Sequence, residues 1–130
     1  MKCCQVAVGI LFKDVNKVLI AKRPLDKVMS GYWEFPGGKI ENGESSKQAL
    51  VRELNEELGI DVITSSLFCE IEHDCAEQSR HIILKVYCID KYLNEPCGHE
   101  GQEVRWCAID KLNDYKLLPA NAAIINKISK

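Results

Sequence analysis

Three glutamates lie close together in this 130-residue chain, within the segment GGKIENGESSKQALVRELNEELGI at residues 37–60. In a helix, Glu53 faces both Glu56 at i+3 and Glu57 at i+4, and each such like-charged pair opposes the helix by roughly 0.2–0.5 kcal/mol. Anions are also disfavoured near the carboxyl end of a helix. A divalent cation would reverse this cost, because carboxylates are ligands of Mg²⁺ and Mn²⁺. The alternative is an ordinary solvated acidic face.

The residues before the helix favour the metal interpretation. Glu44 supplies a fourth carboxylate that can turn toward the same end of the helix. Gly37 and Gly38 allow the backbone to pass close to the cluster and to offer carbonyl oxygens. A hard cation held by such oxygens keeps waters that phosphate groups can replace. The pattern therefore predicts a metal site for a phosphorylated small molecule.

The helix itself has clear start and stop signals. Ser45 followed by Gln48 predicts a capping box, and Gly59 is suited to the position just after the last turn. A single stripe about 100° wide predicts the buried face, and it consists of Leu50, Val51, Leu54 and Leu58.

The remaining segments alternate between strand and loop patterns. Residues 3–12 and 17–23 predict a β-hairpin, and WEF at 33–35 predicts a short strand that ends in a turn at PGG. Further strands are predicted at 62–73, 79–90 and 102–109, and a closing helix is predicted at 119–130 with Pro119 in its first turn. This order indicates an α/β or α+β domain with a mixed sheet covered by helices.

The overall composition limits the class of protein. With 46% hydrophobic and 28% charged residues, the chain is typical of one globular domain over residues 1–130. A net charge of −2 provides no basic field for polymeric nucleic acid. The seven cysteines lack zinc-type spacing, so we expect reduced thiols. We find neither a signal-peptide cleavage site nor an apolar run that could span a membrane, and therefore expect a cytoplasmic protein.

The acidic helix and its flanking turns resemble a known motif. From Gly38 to Ile60 the chain is similar to the Nudix box, G-x5-E-x7-R-E-U-x-E-E-x-G-U, at every fixed position, where U is a bulky aliphatic residue. This resemblance implies the Nudix fold, a mixed β-sheet between helices with the box as a loop–helix–loop. It also implies hydrolysis of a nucleoside diphosphate that is linked to another group.

The same resemblance implies roles for individual residues. Metal binding is implied at three positions, which are Glu56, Glu57 and the carbonyl of Gly37. Glu53 is the implied base that activates water, and a guanidinium at Arg52 is suited to orienting the glutamates. Glu44 is implied either to support these ligands or to bind a second ion. The implied cofactor is Mg²⁺, with Mn²⁺ as a substitute.

Similarity to MutT-type members of the family extends along nearly the whole chain. It includes QVAVGI, EFPGGKIE, RHI at 80–82, EGQ at 100–102 and PAN at 119–121. Those enzymes hydrolyse 8-oxo-dGTP to the monophosphate and pyrophosphate. The resemblance implies Glu100 as a further metal carboxylate, and it implies substrate contacts at Arg23, Glu34, Phe35, Gly38, Lys39, Arg80 and Asn121. The amide of Asn121 can donate to and accept from a purine edge, or it can cap the last helix.

Two features favour other substrates or roles. The segment HDCAEQSR at 73–80 lacks the aromatic residue that MutT-type members have near the base. Trp33 with the preceding SGY resembles relatives that hydrolyse CTP or oxidised pyrimidine nucleotides. A nucleotide-binding module without activity is a third hypothesis, although it would usually lack one glutamate. A redox sensor is a fourth, and it would need an exposed thiol of low pKa.

We expect a monomer whose partner is a small nucleotide, with no membrane or nucleic-acid polymer involved.

Overall fold

The computed structural model describes residues 2–24, 30–75 and 80–128. The strands in these ranges are β1 (Lys2–Lys13), β2 (Lys17–Lys22), β3 (Trp33–Glu34), β4 (Gly37–Lys39), β5 (Asp61–Cys75), β6 (Arg80–Leu93) and β7 (Val104–Ala108). The helices are α1 (Ser46–Leu58), α2 (Pro119–Ile128) and a 3₁₀ turn at Ile109–Asp114. The sequence predicted both α-helices and every one of these strands except β4 to within a few residues, but it predicted neither β4 nor the 3₁₀ turn.

Strand β1 is the centre of a mixed sheet. The strand order is β3-β2-β1-β6-β5, and β4 and β7 pair with β1 and β2, respectively. The β1–β6 pair is parallel, whereas the other strand pairs are antiparallel. On its other edge, β1 pairs first with β4, Val6 lying opposite Lys39, and then with β2, Phe12 lying opposite Val18. The predicted mixed sheet is confirmed.

Helix α1 begins and ends where its caps predict. Ser45 Oγ accepts from the N–H of Gln48 at 3.1 Å, and Gln48 Oε1 accepts from the N–H of Ser45 at 2.8 Å. Gly59 adopts the left-handed conformation at φ 72°, and its N–H donates to the carbonyl of Asn55 at 2.9 Å. These contacts confirm the predicted capping box and the predicted glycine stop.

The buried face of α1 differs from the predicted stripe at one residue. Ala49, Leu50, Leu54 and Leu58 are buried, whereas Val51 is 43% exposed, so the prediction for Val51 was wrong. The cause is the sheet surface: an added Cβ on Gly9 would lie 2.8 Å from Leu54 Cδ1 and 3.3 Å from Leu50 Cδ1. The helix therefore rests on β1 through these two leucines, and its buried sector extends toward Ala49.

The two α-helices lie on opposite faces of the sheet. One core packs α1 against residues that include Ala7, Leu11 and Tyr87. The other core packs α2, through Ile124 and Ile125, against the opposite face. The sheet between helices agrees with the predicted fold. Neither α-helix in the described ranges has the length and apolar character needed to cross a membrane.

The prediction of a turn at PGG is wrong, because strand β4 begins within this segment. The chain bends at Pro36, and Gly37 and Gly38 then pair with β1. A Cβ on Gly37 would overlap the carbonyl oxygen of Ala7. Glycine is therefore required by the close approach of β4 to β1, which places the backbone of β4 inside the sheet.

Trp33 holds the segment that leads into α2. Its N–H donates to the carbonyl of Lys116 at 2.8 Å, and its carbonyl accepts from the N–H of Leu118 at 3.0 Å. The residue is only 7% exposed, and its ring packs edge-on against Tyr115 at 5.2 Å between centroids. Trp33 is thus a core residue that fixes the start of α2.

Candidate active site

Arg52 is the centre of a hydrogen-bonded group of carboxylates. Its Nε and Nη2 donate to the two oxygens of Glu44 at 2.7 and 3.0 Å, which is a bidentate contact. The N–H of Glu41 also donates to Glu44 at 3.0 Å. The bonds from Arg52, with the smaller contribution of the Glu41 N–H, lower the pKa of Glu44 to about 2. The same contacts raise the pKa of Arg52, so this pair stays charged at neutral pH.

The same guanidinium reaches the other glutamates of the helix. Nη1 donates to Glu53 Oε1 at 2.8 Å and lies 3.4 Å from Glu56 Oε2. Nη2 also donates to the carbonyl of Lys39 at 3.0 Å, whereas the Lys39 side chain is exposed. Arg52 therefore connects the box helix to β4 and fixes the orientation of Glu53.

Gly38 leaves the space that the Glu53 carboxyl group occupies. A Cβ added to Gly38 would overlap the carboxyl carbon and an oxygen of Glu53. The Glu53 side chain is 19% exposed, so its carboxylate is held mainly between β4 and Arg52. The glycine pair of the sequence thus brings the β4 backbone against the helix, as the metal interpretation requires.

Glu57 is buried with one oxygen unsatisfied. Its Oε2 has no hydrogen-bond partner in the described part of the protein, while the backbone of Gly37 hydrogen-bonds the carboxyl group. Burial raises the pKa of Glu57 to about 9, and the nearby charges of Glu34, Glu53 and Glu100 add to the shift. An unsatisfied buried oxygen costs roughly 1–3 kcal/mol. Glu57 therefore needs either a proton or a cation.

The residues around Glu57 suit a divalent ion that keeps several waters. Across residues 2–24, 30–75 and 80–128, no three His, Cys, Asp or Glu side chains are already gathered closely enough to hold an ion unaided. Mg²⁺ does not need such a cage, because it is usually held by one or two carboxylates, waters and substrate phosphates. The oxygens of Glu57 and its acidic neighbours fit that requirement.

Arg23 and Glu34 form an ion pair at the edge of the acidic group. Arg23 Nη1 lies 3.0 Å from Glu34 Oε1, and both side chains are about one-quarter exposed, at 24% and 26%. Glu34 acts electrostatically on Glu57, so this pair borders the same site. The structure thus brings Arg23, Glu34 and the glutamates of the box together.

Phe35 and Asn121 are joined by a buried hydrogen bond. The N–H of Phe35 donates to Asn121 Oδ1 at 2.9 Å, and the two residues are only 3% and 5% exposed. Asn121 is the third residue of α2, which begins at Pro119, so the capping alternative for Asn121 was wrong. The predicted substrate residue Arg80 begins β6, and its side chain lies outside the described part of the structure.

The loop that carries Glu100 is docked on the carboxyl end of α1. The N–H of His99 and Nε2 of Gln102 both donate to the carbonyl of Glu57, at 2.8 and 3.2 Å. Sequence reasoning assigned Glu100 but not His99 or Gln102. The only signal for Gln102 was its place in the EGQ similarity, because a lone glutamine has no distinctive spacing.

Comparison with known proteins agrees with this geometry. The model of the NUDIX domain family matches residues 4–128. The 8-oxo-dGTP diphosphatase of Escherichia coli (strain K12) is 42% identical over 130 residues, which cover 100% of this chain and 99% of that protein. The CTP pyrophosphohydrolase of Escherichia coli (strain K12) is 36% identical over 125 residues, covering 96% of this chain and 90% of that protein.

A solved structure has the same architecture. The crystal structure of a MutT NUDIX hydrolase from Burkholderia pseudomallei superposes with a TM-score of 0.89 at 28% identity, covering 98% of each chain. The family match spans nearly the whole chain, and it includes the box whose glutamates meet around Arg52 and Glu57. Because sequence, fold and site agree in this way, the chain belongs to the Nudix hydrolase family.

Proposed function

We propose that this protein hydrolyses 8-oxo-dGTP to 8-oxo-dGMP and pyrophosphate, with Mg²⁺ as its ion and Mn²⁺ as a substitute. The observation that carries the proposal is the buried, unsatisfied oxygen of Glu57 among the charges of Glu34, Glu53 and Glu100. The similarity to the 8-oxo-dGTP diphosphatase of Escherichia coli supports the choice of substrate. The activity would remove an oxidised nucleotide from the cytoplasmic pool, and we propose that the chain acts as a monomer.

The metal would be held by Glu56, Glu57, Glu100 and the carbonyl of Gly37. When bound, it would neutralise the charge of the phosphate groups and of the departing group. Because Oε2 of Glu57 has no hydrogen-bond partner among the described residues, it is the oxygen that most needs a cation. The cost of gathering like charges on one helix would then be offset by metal binding.

Glu53 would take the proton of the attacking water. Its carboxylate is held by Arg52 at 2.8 Å and by the space that Gly38 leaves. Arg52 can orient Glu53 because Glu44 fixes the other side of the guanidinium. Water would attack the β-phosphorus and break its bond to the oxygen that bridges it to the α-phosphorus. The nucleoside monophosphate would leave with that bridging oxygen, and the water oxygen would become part of the pyrophosphate. Glu44 and Arg52 thus act by positioning, and Glu53 acts as the base.

The base-binding end would be formed around Phe35 and Asn121. Asn121 Oδ1 is occupied by the N–H of Phe35, whereas Nδ2 makes no hydrogen bond to the described residues. The structure therefore favours Asn121 as a donor to an acceptor on the base, rather than as both donor and acceptor. Arg23 and Arg80 would contact the nucleotide, and Glu34 would hold Arg23 in place.

The phosphate groups would lie along β4, where the strand runs beside the acidic group. The close approach of Gly38 to Glu53 makes the β4 backbone part of the site. The carbonyl of Lys39 accepts from Arg52, which fixes its backbone beside the site. Its exposed side chain can then reach a phosphate. We therefore retain Gly38 and Lys39 as proposed substrate contacts.

A pyrimidine nucleotide is the second candidate substrate. It is favoured by the similarity to the CTP pyrophosphohydrolase of Escherichia coli. Trp33, however, is buried against Tyr115 and binds the segment before α2, so its ring is not free to stack on a base. This observation weakens the sequence feature that suggested a pyrimidine.

The two remaining hypotheses have less support. A module without activity would usually lack one of Glu53, Glu56 and Glu57, and all three are present. A redox sensor requires a thiol of low pKa. Burial raises the pKa of the thiols of three cysteines, which are Cys69, Cys88 and Cys107.

The proposed function is tested by comparing kcat/KM for pyrophosphate release with Mg²⁺ across 8-oxo-dGTP, dGTP, CTP and 5-methyl-dCTP. We expect 8-oxo-dGTP to be preferred by at least about tenfold, which corresponds to about 1.4 kcal/mol of transition-state binding. A preference for the pyrimidines would replace this substrate with the second candidate. Turnover of none of them would contradict both substrate proposals.

Glu53→Gln is expected to lower kcat by about 10²–10⁴-fold, the usual contribution of a general base, while nucleotide binding is retained. The substitution removes the proton acceptor and keeps the shape that Arg52 and Gly38 surround. Steady-state kinetics and calorimetric binding of 8-oxo-dGTP measure the two effects. The matched control is Glu41→Gln, an exposed acid that lies 3.9 Å from Arg52. A wild-type kcat in Glu53→Gln would refute the assignment of the base.

The stability of the metal-free protein is expected to fall as pH rises from about 4.5 to 9. In this range, folded Glu57 holds a proton that the unfolded chain has released, so raising the pH favours unfolding. The loss is at most about 1.4 kcal/mol per pH unit for one proton. Mg²⁺ should therefore raise Tm more at pH 8 than at pH 6, because the ion replaces that proton.

The Glu57 prediction is measured by thermal unfolding of wild type and Glu57→Gln with and without Mg²⁺. In Glu57→Gln, the pH dependence should flatten and the response to Mg²⁺ should decrease. Glu70→Gln, an exposed acid on β5 that pairs with Lys85 at 3.8 Å, is the control. An unchanged pH dependence in Glu57→Gln would show that another group is responsible.

Asn121→Asp should separate base recognition from support of the fold. An aspartate keeps an oxygen for the N–H of Phe35 but loses the free Nδ2 donor. We expect the preference for 8-oxo-dGTP over dGTP to fall by about 10-fold, the value of one lost hydrogen bond to the base, and Tm to fall because the new carboxylate is buried. Asn121→Ala, which removes both groups, should also lower Tm. If Asn121→Asp slowed both substrates equally, Asn121 would be structural.

A further inference from the structure

The side chain of Gln102 connects two peptide groups that belong to different parts of the site. Its Nε2 donates to the carbonyl of Glu57 at 3.2 Å, and its Oε1 accepts from the N–H of Glu100 at 2.9 Å. Glu57 lies in the last turn of α1, whereas Glu100 lies in the loop between β6 and β7. One carboxamide therefore joins the backbone of a box glutamate to the backbone of the glutamate outside the box.

The surrounding loop fits closely against the end of the helix. The last carbonyls of a helix have no donors within it, and here they accept from the N–H of Cys97, at 3.1 Å from the Leu58 carbonyl, and from the N–H of His99. A Cβ on Gly59 would overlap the ring of His99. The loop is thus docked at a defined place, and the N–H of Glu100 donates to Gln102 Oε1 within it.

Glu100 and Glu57 are both acids, so whenever both are ionised their proximity must be maintained by other contacts. The backbones of both residues are hydrogen-bonded to the Gln102 side chain, and the N–H of His99, next to Glu100, donates to the Glu57 carbonyl. Glu100 is in an exposed loop, and no ion pair in the described residues holds its carboxylate. Its position therefore depends on the backbone contacts of the loop, among which the Gln102 side chain contacts Glu100 itself.

We propose that Gln102 is a positioning residue that holds Glu100 beside Glu57, so that both carboxylates serve one divalent ion. This inference rests on the proposed function, because it assumes that the acidic group binds a metal. It adds a specific requirement. Glu100 can bind the ion together with Glu57 only while the Gln102 amide is hydrogen-bonded to the backbones of both residues. A leucine at this position would fill the volume and remove both hydrogen bonds.

The test is Mn²⁺ binding without nucleotide, measured by electron paramagnetic resonance of the free ion. Gln102→Leu should weaken Mn²⁺ binding by about 10–100-fold, the usual loss when a residue supporting a metal ligand is removed. Glu100→Gln should also weaken it. The double variant should bind no more weakly than Glu100→Gln alone, because Gln102 then has no carboxylate to position.

Two further variants keep the test informative. Gly98→Ala places a Cβ against the backbone carbonyl of Gln102 and should weaken Mn²⁺ binding without removing a polar group. Asn94→Gly removes a side chain at the start of the same loop, which donates to the carbonyl of Gly59 at 3.5 Å, and it should leave Mn²⁺ binding unchanged. Thermal unfolding of each metal-free variant identifies any general loss of folding.

The outcomes separate this inference from the proposed function. Wild-type Mn²⁺ affinity in Gln102→Leu would overturn the positioning role. A further loss on adding Gln102→Leu to Glu100→Gln would also overturn it, because Gln102 would then act independently of Glu100. Failure of the wild-type protein to bind Mn²⁺ would instead overturn the proposed metal site.

Discussion

The positive charge of Arg52 balances some carboxylates of the site but not all of them, and this inequality determines what the site can bind. The guanidinium of Arg52 binds Glu44 and Glu53 and approaches Glu56, so these acids are balanced within the protein. Within the described part of the chain, the backbone of Gly37 hydrogen-bonds the carboxyl group of Glu57, and Oε2 is left buried and unsatisfied. The imbalance is local, and it makes one position of the helix dependent on an external cation. A second arginine there would satisfy Glu57 and remove the reason to bind a metal.

This arrangement requires β4 to lie unusually close to both the sheet and the helix. Side chains at Gly37 and Gly38 would overlap Ala7 on one side and Glu53 on the other. Strand β1 makes the approach possible because it pairs with β4 along its first half and with β2 only at its end. The glycines therefore have a packing role and a chemical role at the same positions.

Sequence reasoning succeeded where the information is local. The capping box, the glycine stop and the periodic pattern of α1 depend on residues a few positions apart, and the structure agrees with them. The box could also be recognised as a unit, which gave the family. Strand boundaries were approximate, since alternation fades gradually at a strand end.

The errors and omissions concern contacts between distant segments. Gly37 and Gly38 looked like a turn because glycine pairs usually are turns, and only the pairing with β1 makes them a strand. Val51 looked buried because the sequence could not show that the helix contacts Gly9 of β1 through Leu50 and Leu54. Gln102 was missed because its two partners, Glu57 and Glu100, make its role visible only after folding.

Residues 33–39 link recognition of the base to the chemistry. Along this segment, Trp33 fixes the start of α2, the N–H of Phe35 is held by Asn121, and Gly38 gives room to Glu53. The segment is short and is hydrogen-bonded at both ends, so a base that shifts at Phe35 also shifts its phosphates relative to Glu53 and Glu57. Misalignment of about 1 Å can cost two orders of magnitude in rate. A poorly fitting base would therefore be rejected mainly through slower hydrolysis, even when the phosphates still bind.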